Sequence, residues 1–370
     1  MSRYYLIAGE ASGDLHASNL VKEINLLDKD AVFRGFGGDK MIHEGVEIVQ
    51  HYKDIAFMGF KEVILHLSTI RKAMNLCKTD ILKFKPDVLI LVDYPGFNSR
   101  MAKFAKGKGL RVMYYISPQF WAWKENRVKR FKDRVDGIFL ILPFEKDFYQ
   151  KHQIDAFFCG HPLPEVVDSF RKDPEFEQTI NPEGKDIIAI LPGSRKQEIV
   201  KLMPLIYELA GEFKECLFVI AASAHIPMQL YGSTLDLPSV KIIIGKTYDL
   251  LSIAKAGIVK SGTAALEAAL FSLPIVVCYR TTWLNYYITK RMIKVNYISL
   301  VNLILNRGVV KELIQNSYNK QNLSQELNKL LHDSPYREYM IAEYGNLRQH
   351  LYGEGASRRA AVAILKKMSN

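Results

Sequence analysis

"ILVDYPGFN" (residues 90–98) passes from an apolar run into a Pro-Gly turn and leaves one carboxylate, Asp93, at the junction. Val88 to Val92 is too short and too uniformly apolar for an amphipathic helix, so it reads as a buried strand. Pro95 and Gly96 then turn the chain towards a segment with helical spacing. Similar apolar runs recur at 4–8, 110–116, 137–142, 187–191, 217–222, 256–259 and 274–279, with helical patterns between most of them. Strand-helix alternation of this kind implies parallel sheets covered by helices on both faces. Ligands of such sheets sit at the carboxyl ends of strands, so the strand-to-helix turns are the places to look for chemistry.

At 370 residues the chain exceeds what one hydrophobic core usually serves, and two domains are expected. The charged stretch "DSFRKDPEFEQTINPEGKD" (168–186) is the best linker candidate, dividing residues 1–168 from 169–345. A helical tail, 346–370, is expected to return to the first domain, by fold analogy. With 48% hydrophobic and 24% charged residues the chain is globular. No apolar stretch approaches the ~18 residues a membrane span needs, and residues 4–8 are too short for a signal peptide, so a cytoplasmic location is expected. Cys77, Cys159, Cys216 and Cys278 lack CxxC spacing, which argues for buried thiols over zinc or disulfides. The net charge of +11 favours anionic partners such as nucleotides or phospholipid surfaces.

Four turns stand out. In "IAGEASGD" (7–14), Gly9 and Gly13 let a backbone approach a ligand, while Glu10, Ser12 and Asp14 offer polar contacts. A plain helix cap by Ser12 or Asp14 is the competing reading. Asp93, partly desolvated at a strand end, suits a general base, against an aspartate bonding its own turn; Asn98 suits a cap. In "IIAILPGSRKQEI" (187–199), Gly193 permits close approach, Ser194 and Gln197 have capping-box spacing, and Arg195 falls in the first helical turn, a convergence suited to phosphate. The competing reading is a solvated arginine. In "IVKSGTAALEAAL" (258–270), Ser261, Gly262 and Thr263 form a small polar turn with Glu267 one helical turn beyond, which suits phosphate and ribose. The usual dinucleotide and triphosphate fingerprints are missing: "GFGGDK" (35–40) breaks the GxGxxG spacing, and no GxxxxGK[ST] occurs. Asp28 and Asp30 form no convincing metal site, and no metal is expected.

Residues 60–82 place Phe60, Val63, Ile64, Leu67, Ile70, Met74, Cys77 and Ile81 on one helical stripe. Such a stripe is usually core, yet Leu65 and Leu76 fall among polar positions beside lysines and suit insertion at a bilayer interface. Trp121 and Trp123, before a helix carrying Arg127, Arg130 and Arg134 on one face, add an interfacial signature. The same surface could stack bases, but no nucleic-acid-binding motif accompanies it and none is expected as a partner.

Together "AGEASGD", "MGFKEV", "PDVLILVDYPGFN", "YISPQFWAWK", "LPFEKDFY", "LPGSR", "SGTAALE", "VVCYR", "YISLVN" and "VKELIQ" resemble, in order, the lipid-A-disaccharide synthase family of GT-B glycosyltransferases. The resemblance implies two doubly wound, Rossmann-like parallel-sheet domains facing a central cleft: an N-terminal acceptor and membrane-facing domain and a C-terminal UDP-sugar domain. It implies transfer from UDP-2,3-diacylglucosamine to 2,3-diacylglucosamine 1-phosphate, releasing UDP and forming a β(1→6) disaccharide. Asp93 would be the base, with Glu10 or His16 as fallback. Ser194, Arg195 and the Ser261-Gly262-Thr263 turn would hold the diphosphate without metal or other cofactor. Glu267 would bind ribose, and Asn302 would contact the nucleotide. Stretch 60–82 would attach the enzyme peripherally to the cytoplasmic face of the inner membrane. The chain departs from the family pattern at Gly96 and Val301 and in Leu163-Pro164-Glu165 after "GHP". Another UDP-sugar enzyme of this fold, such as an epimerase or a peptidoglycan transferase, and a non-catalytic basic binding protein are the alternatives. A homodimer is left open.

Overall fold

The computed structural model describes residues 1–55, 66–121, 128–193, 195–224, 226–282, 286, 295–351 and 355–369. The chain divides into two compact units, Met1–Pro162 with Leu351–Asn370, and Leu163–His350.

The first unit carries a sheet of β1 (Arg3–Ala8), β2 (Val32–Gly37), β3 (Glu47–His51), β4 (Val88–Val92), β5 (Arg111–Tyr115), β6 (Gly137–Leu140) and β7 (Phe157–Phe158). Its order is β3-β2-β1-β4-β5-β6-β7, and every pairing is parallel. Residues of β1, β4 and β5 are almost wholly buried, as a sheet covered on both faces requires. Helix Leu67–Phe84 turns Ile70, Ala73, Cys77, Ile81 and Phe84 into that core. Asp80 on the same face accepts a bidentate pair of hydrogen bonds from Arg34 of β2, both 2.9 Å, and a third from the Tyr5 hydroxyl at 3.0 Å. That buried network fixes the helix against the sheet.

The second unit carries β8 (Asp186–Leu191), β9 (Cys216–Ala222), β10 (Val240–Ile244), β11 (Ala256–Lys260), β12 (Ile275–Tyr279) and β13 (Lys311–Ile314), in the order β10-β9-β8-β11-β12-β13 and again all parallel. The doubly wound α/β class expected from the sequence is the class observed.

The linker expected at 168–186 lies inside the second unit. Two aromatic anchors hidden among its charges hold it there. Phe170 packs edge-on against Tyr248 and Phe271, with centroids 5.7 and 5.6 Å away, and Phe176 is buried at the start of helix Phe176–Ile180. The Asp173 amide also donates to Asp249 at 2.8 Å. At the other end, helix Ser334–His350 completes the second unit, and helix Ala356–Ser369 packs on helix Ala11–Leu27. Ala356, Ser357, Ala360 and Ala361 line its buried face, and their small size permits close helix contact. All four cysteines are buried free thiols. Among the described residues no helix is long and apolar enough to cross a membrane.

Candidate active site

Strand order reverses between β1 and β4 in the first sheet and between β8 and β11 in the second. Such reversal points open the crevices in which α/β proteins bind ligands. In the first unit the register sets Ala8 against Val92, so the Gly9-Glu10 turn and the Asp93-Tyr94 turn emerge side by side. In the second, Val259 lies against Leu191, which brings the turn after Lys260 beside the one after Pro192. The sequence-derived candidates therefore group at two reversal points, one in each unit.

At the first, Asp93 and Tyr94 both have left-handed backbones, φ +45° and +47°. Two consecutive non-glycine residues in that region cost on the order of 1–3 kcal/mol each, so the surroundings must enforce them. They do. The Asp93 amide donates to the Tyr115 carbonyl at 3.0 Å, and its carbonyl accepts from Asn98 Nδ2 and the Tyr114 hydroxyl, both at 2.7 Å. Asn98 Nδ2 also lies 3.3 Å from the Ile7 carbonyl and 3.2 Å from that of Val92. Asn98 is thus no helix cap: buried in the first turn of helix Pro95–Lys106, it stitches the ends of β1 and β4 together.

Burial raises the Asp93 pKa to about 7, with the Glu10 carboxylate and then Glu145 pushing the same way and the Tyr94 amide opposing. Sequence reasoning missed Glu145. It opens helix Glu145–Lys151 beyond β6, where burial lifts its pKa to about 7 against hydrogen bonds from Ser117 Oγ (2.8 Å), the Leu142 amide (3.2 Å) and Trp121 Nε1 (3.2 Å). Its position inside "LPFEKDFY", without a glycine turn, gave no sign of this. Trp121 is accordingly tied to a buried carboxylate, while Trp123 and Arg127 lie outside the described residues.

Other residues of the opening loop take different places from those expected. A side chain on Gly9 would strike the Tyr94 ring at 2.1 Å, so that glycine admits an aromatic neighbour. Gly13 packs against Ala8 with room for an ordinary contact, again inside the protein. Asp14 is buried, and its carboxylate accepts from the amides of Gly38 (2.7 Å), Lys40 (3.1 Å) and Met41 (3.2 Å). It anchors the start of helix Asp39–His43, where a negative charge is favourable. Glu10 is the N-cap of helix Ala11–Leu27, and Ser12 is exposed in its first turn. His16 is buried edge-on to His161 at 6.4 Å, and desolvation lowers its pKa to about 4 and that of His161 to about 3, so both are neutral at pH 7.

At the second reversal point Gly193 has φ +91°, and a Cβ there would meet Glu198 at 2.4 Å. Arg195 is itself the N-cap of helix Lys196–Glu212, one position earlier than expected; Ser194 lies outside the described residues. Arg195 keeps 56% of its side chain exposed and reaches Glu198 at 3.4 Å, while Glu198 pairs with Lys260 at 2.9 Å. Gly262 faces open space, and Thr263 begins helix Thr263–Leu270, exposed. Ser261 Oγ instead donates to the Ile298 carbonyl at 3.0 Å. Glu267 accepts from the Tyr248 hydroxyl at 2.8 Å, and burial raises its pKa against that bond. Asn302 differs from expectation: it is buried, Nδ2 donates to Val310 and Glu312, and Oδ1 accepts from the Val309 and Val310 amides, all at 2.9 Å. A carboxamide with both donors and both lone pairs engaged shapes its own loop and offers a nucleotide nothing.

Of the membrane stretch, Val63, Ile64 and Leu65 lie outside the described residues. Leu67 and Leu76 are 53% and 42% exposed, each one helical turn from a basic residue, Arg71 or Lys72, which are also exposed. Among the described residues no cluster of His, Cys, Asp or Glu is arranged to hold a metal ion.

Solved structures share this pair of sheets. UDP-GlcNAc 2-epimerase from Neisseria meningitidis, bound to UDP-GlcNAc, superposes with a TM-score of 0.70 over 99% of this chain and 100% of that one, at 15% identity. The glycosyltransferase of kitacinnamycin matches with a TM-score of 0.67 over 99% of both chains, at 11% identity. The fold is therefore that of the GT-B glycosyltransferases and their epimerase relatives. The family model described as lipid-A-disaccharide synthetase matches residues 4–366. Lipid-A-disaccharide synthase from Trichlorobacter lovleyi is 36% identical over 98% of this chain and 97% of that protein, and the one from Coxiella burnetii (strain CbuG_Q212) is 34% identical over 97% and 96%. This chain belongs to the lipid-A-disaccharide synthase family.

Proposed function

We propose that the chain transfers the sugar of UDP-2,3-diacylglucosamine to the 6-hydroxyl of 2,3-diacylglucosamine 1-phosphate, inverting the anomeric carbon and releasing UDP. The observation that carries the residue assignment is Asp93, a desolvated carboxylate with pKa about 7 on a backbone held in an unfavourable conformation. Asp93 takes the proton of the acceptor hydroxyl as its oxygen bonds to the anomeric carbon. The bond from that carbon to the diphosphate oxygen breaks on the opposite face. A base with pKa near the working pH combines availability with proton affinity, and such catalysis contributes ~10²–10⁴ in rate. Glu10 and Ser12 orient the sugars, and Glu10 is the second choice of base; His16, buried with its pKa lowered to about 4, does not suit the role the sequence offered it.

The charge that develops on departing UDP is met by the Arg195 guanidinium and by the amides at the start of helix Thr263–Leu270, with no metal needed. Glu267, oriented by Tyr248, accepts from ribose hydroxyls. The first unit thus handles the acceptor and the second the donor. We place the enzyme peripherally on the cytoplasmic face of the inner membrane, attached through 60–82, where Leu67 and Leu76 beside basic residues have the composition of an interfacial segment.

Incubation with labelled donor and acceptor tests the reading. UDP and disaccharide should appear in equal amounts. UDP without disaccharide would make the chain a hydrolase and overturn it.

A further inference from the structure

Beside the second reversal point lies a small open pocket that the assignments above do not use. Pro192, Glu198, Lys201, Lys260, Arg280 and Tyr318 are among its walls. Three cations thus face one carboxylate at the carboxyl ends of β8, β11 and β12. Lys260 Nζ stands 5.9 Å from the Tyr279 ring centre, and the Arg280 guanidinium 5.5 Å from that of Tyr318. Aromatic faces hold cations in place without neutralising them. Arg280 otherwise donates only a long bond, 3.4 Å, to the Gln315 carbonyl among the interactions described. Neither Lys201 nor Arg280 has a carboxylate partner among the described residues. Glu198 bridges Lys260 and Arg195 and so acts as their shared internal counter-ion.

We propose that Lys201, Lys260 and Arg280 form an anion subsite that receives a phosphate of the nucleoside diphosphate, with Glu198 giving up Lys260 as the phosphate enters. The proposal rests on reading the second unit as the donor site and adds to it the residues that carry most of the diphosphate charge. Like-signed groups gathered in one concave wall cost energy unless an anion offsets them, and a phosphate does so more fully than one carboxylate.

Calorimetric titration of the full chain with UDP, uridine and pyrophosphate tests this in Lys260→Met, Arg280→Gln and the charge-conserving Lys260→Arg. UDP and pyrophosphate should bind about tenfold or more weakly to the first two. Uridine should bind all variants alike, and Lys260→Arg should recover most of the loss. Undiminished UDP and pyrophosphate affinity overturns the subsite, as does an equal loss for uridine. A raised KM for the acceptor phosphate with unchanged UDP affinity also overturns it and assigns the pocket to the acceptor. If the unmodified chain binds pyrophosphate through these residues but not UDP, the donor reading fails while the anion subsite stands.

Discussion

The two reversal points are built alike and charged oppositely. In the first unit, turns after β1 and β4 gather Glu10 and Asp93, with Glu145 close enough to influence Asp93. In the second, turns after β8, β11 and β12 gather Arg195, Lys260 and Arg280, relieved by Glu198. Burial, helped by the neighbouring Glu10 and Glu145 charges, raises the Asp93 pKa and yields a base that works near neutrality. Crowded cations lower the cost of accepting negative charge. A parallel sheet fixes where the turns gather, and the residues at those turns set the charge that each reversal point presents.

The contrast breaks first at Asp93. Asp93→Asn should lower disaccharide formation by ~10²–10⁴, the worth of a positioned base, with UDP affinity unchanged by calorimetry. Comparable turnover would move the base to Glu10; a parallel loss of UDP affinity would mean the two reversal points are not chemically separate.

The backbone offers a second break. Asn98→Ala removes the three carbonyl contacts that hold β1, β4 and the left-handed turn together, and leaves buried carbonyls unsatisfied. A loss of roughly 2–3 kcal/mol of stability is expected, read as a lower urea midpoint. The rate should fall as well, because Asp93 is then free to relax. Full stability with reduced rate would show that Asn98 acts on substrate instead.

Much of this arrangement was legible in the residues. β1, β4, β5, β6, β8, β9, β11 and β12 coincide with the apolar runs, because strands buried on both faces must be apolar throughout. β2, β3, β10 and β13 carry Arg34, Glu47, Lys241 and Lys311, which break the run, and β7 has only two residues. Asp93 and Arg195 were visible because turn residues follow strands immediately. Glu145 was not, since its role comes from burial beneath Ser117 and Trp121, which spacing does not encode. Asn302 and Asp14 misled for a related reason. A polar side chain near a turn looks available until the backbone amides and carbonyls that need it are counted.

Tyr248 is another residue that spacing hides, and it sharpens the donor side. Its hydroxyl bonds Glu267 at 2.8 Å and its ring packs on Phe271 at 5.1 Å, so Tyr248→Phe keeps the packing and removes one bond. UDP should bind about 1 kcal/mol more weakly, and 2′,3′-dideoxy-UDP should show no difference. An equal effect on both nucleotides would detach Glu267 from ribose.

The smallest effect is the most specific. Ionised Glu10 raises the Asp93 pKa, so Glu10→Gln removes a negative neighbour and should lower it. A base is active when deprotonated; kcat/KM should therefore rise with pH through about 7 in the unmodified enzyme and reach its plateau at lower pH in the variant. The plateau itself should change little if Glu10 acts through its charge. Should the rising limb stay fixed while the plateau falls, Glu10 touches the sugar directly, and the first reversal point is a binding surface as well as a base.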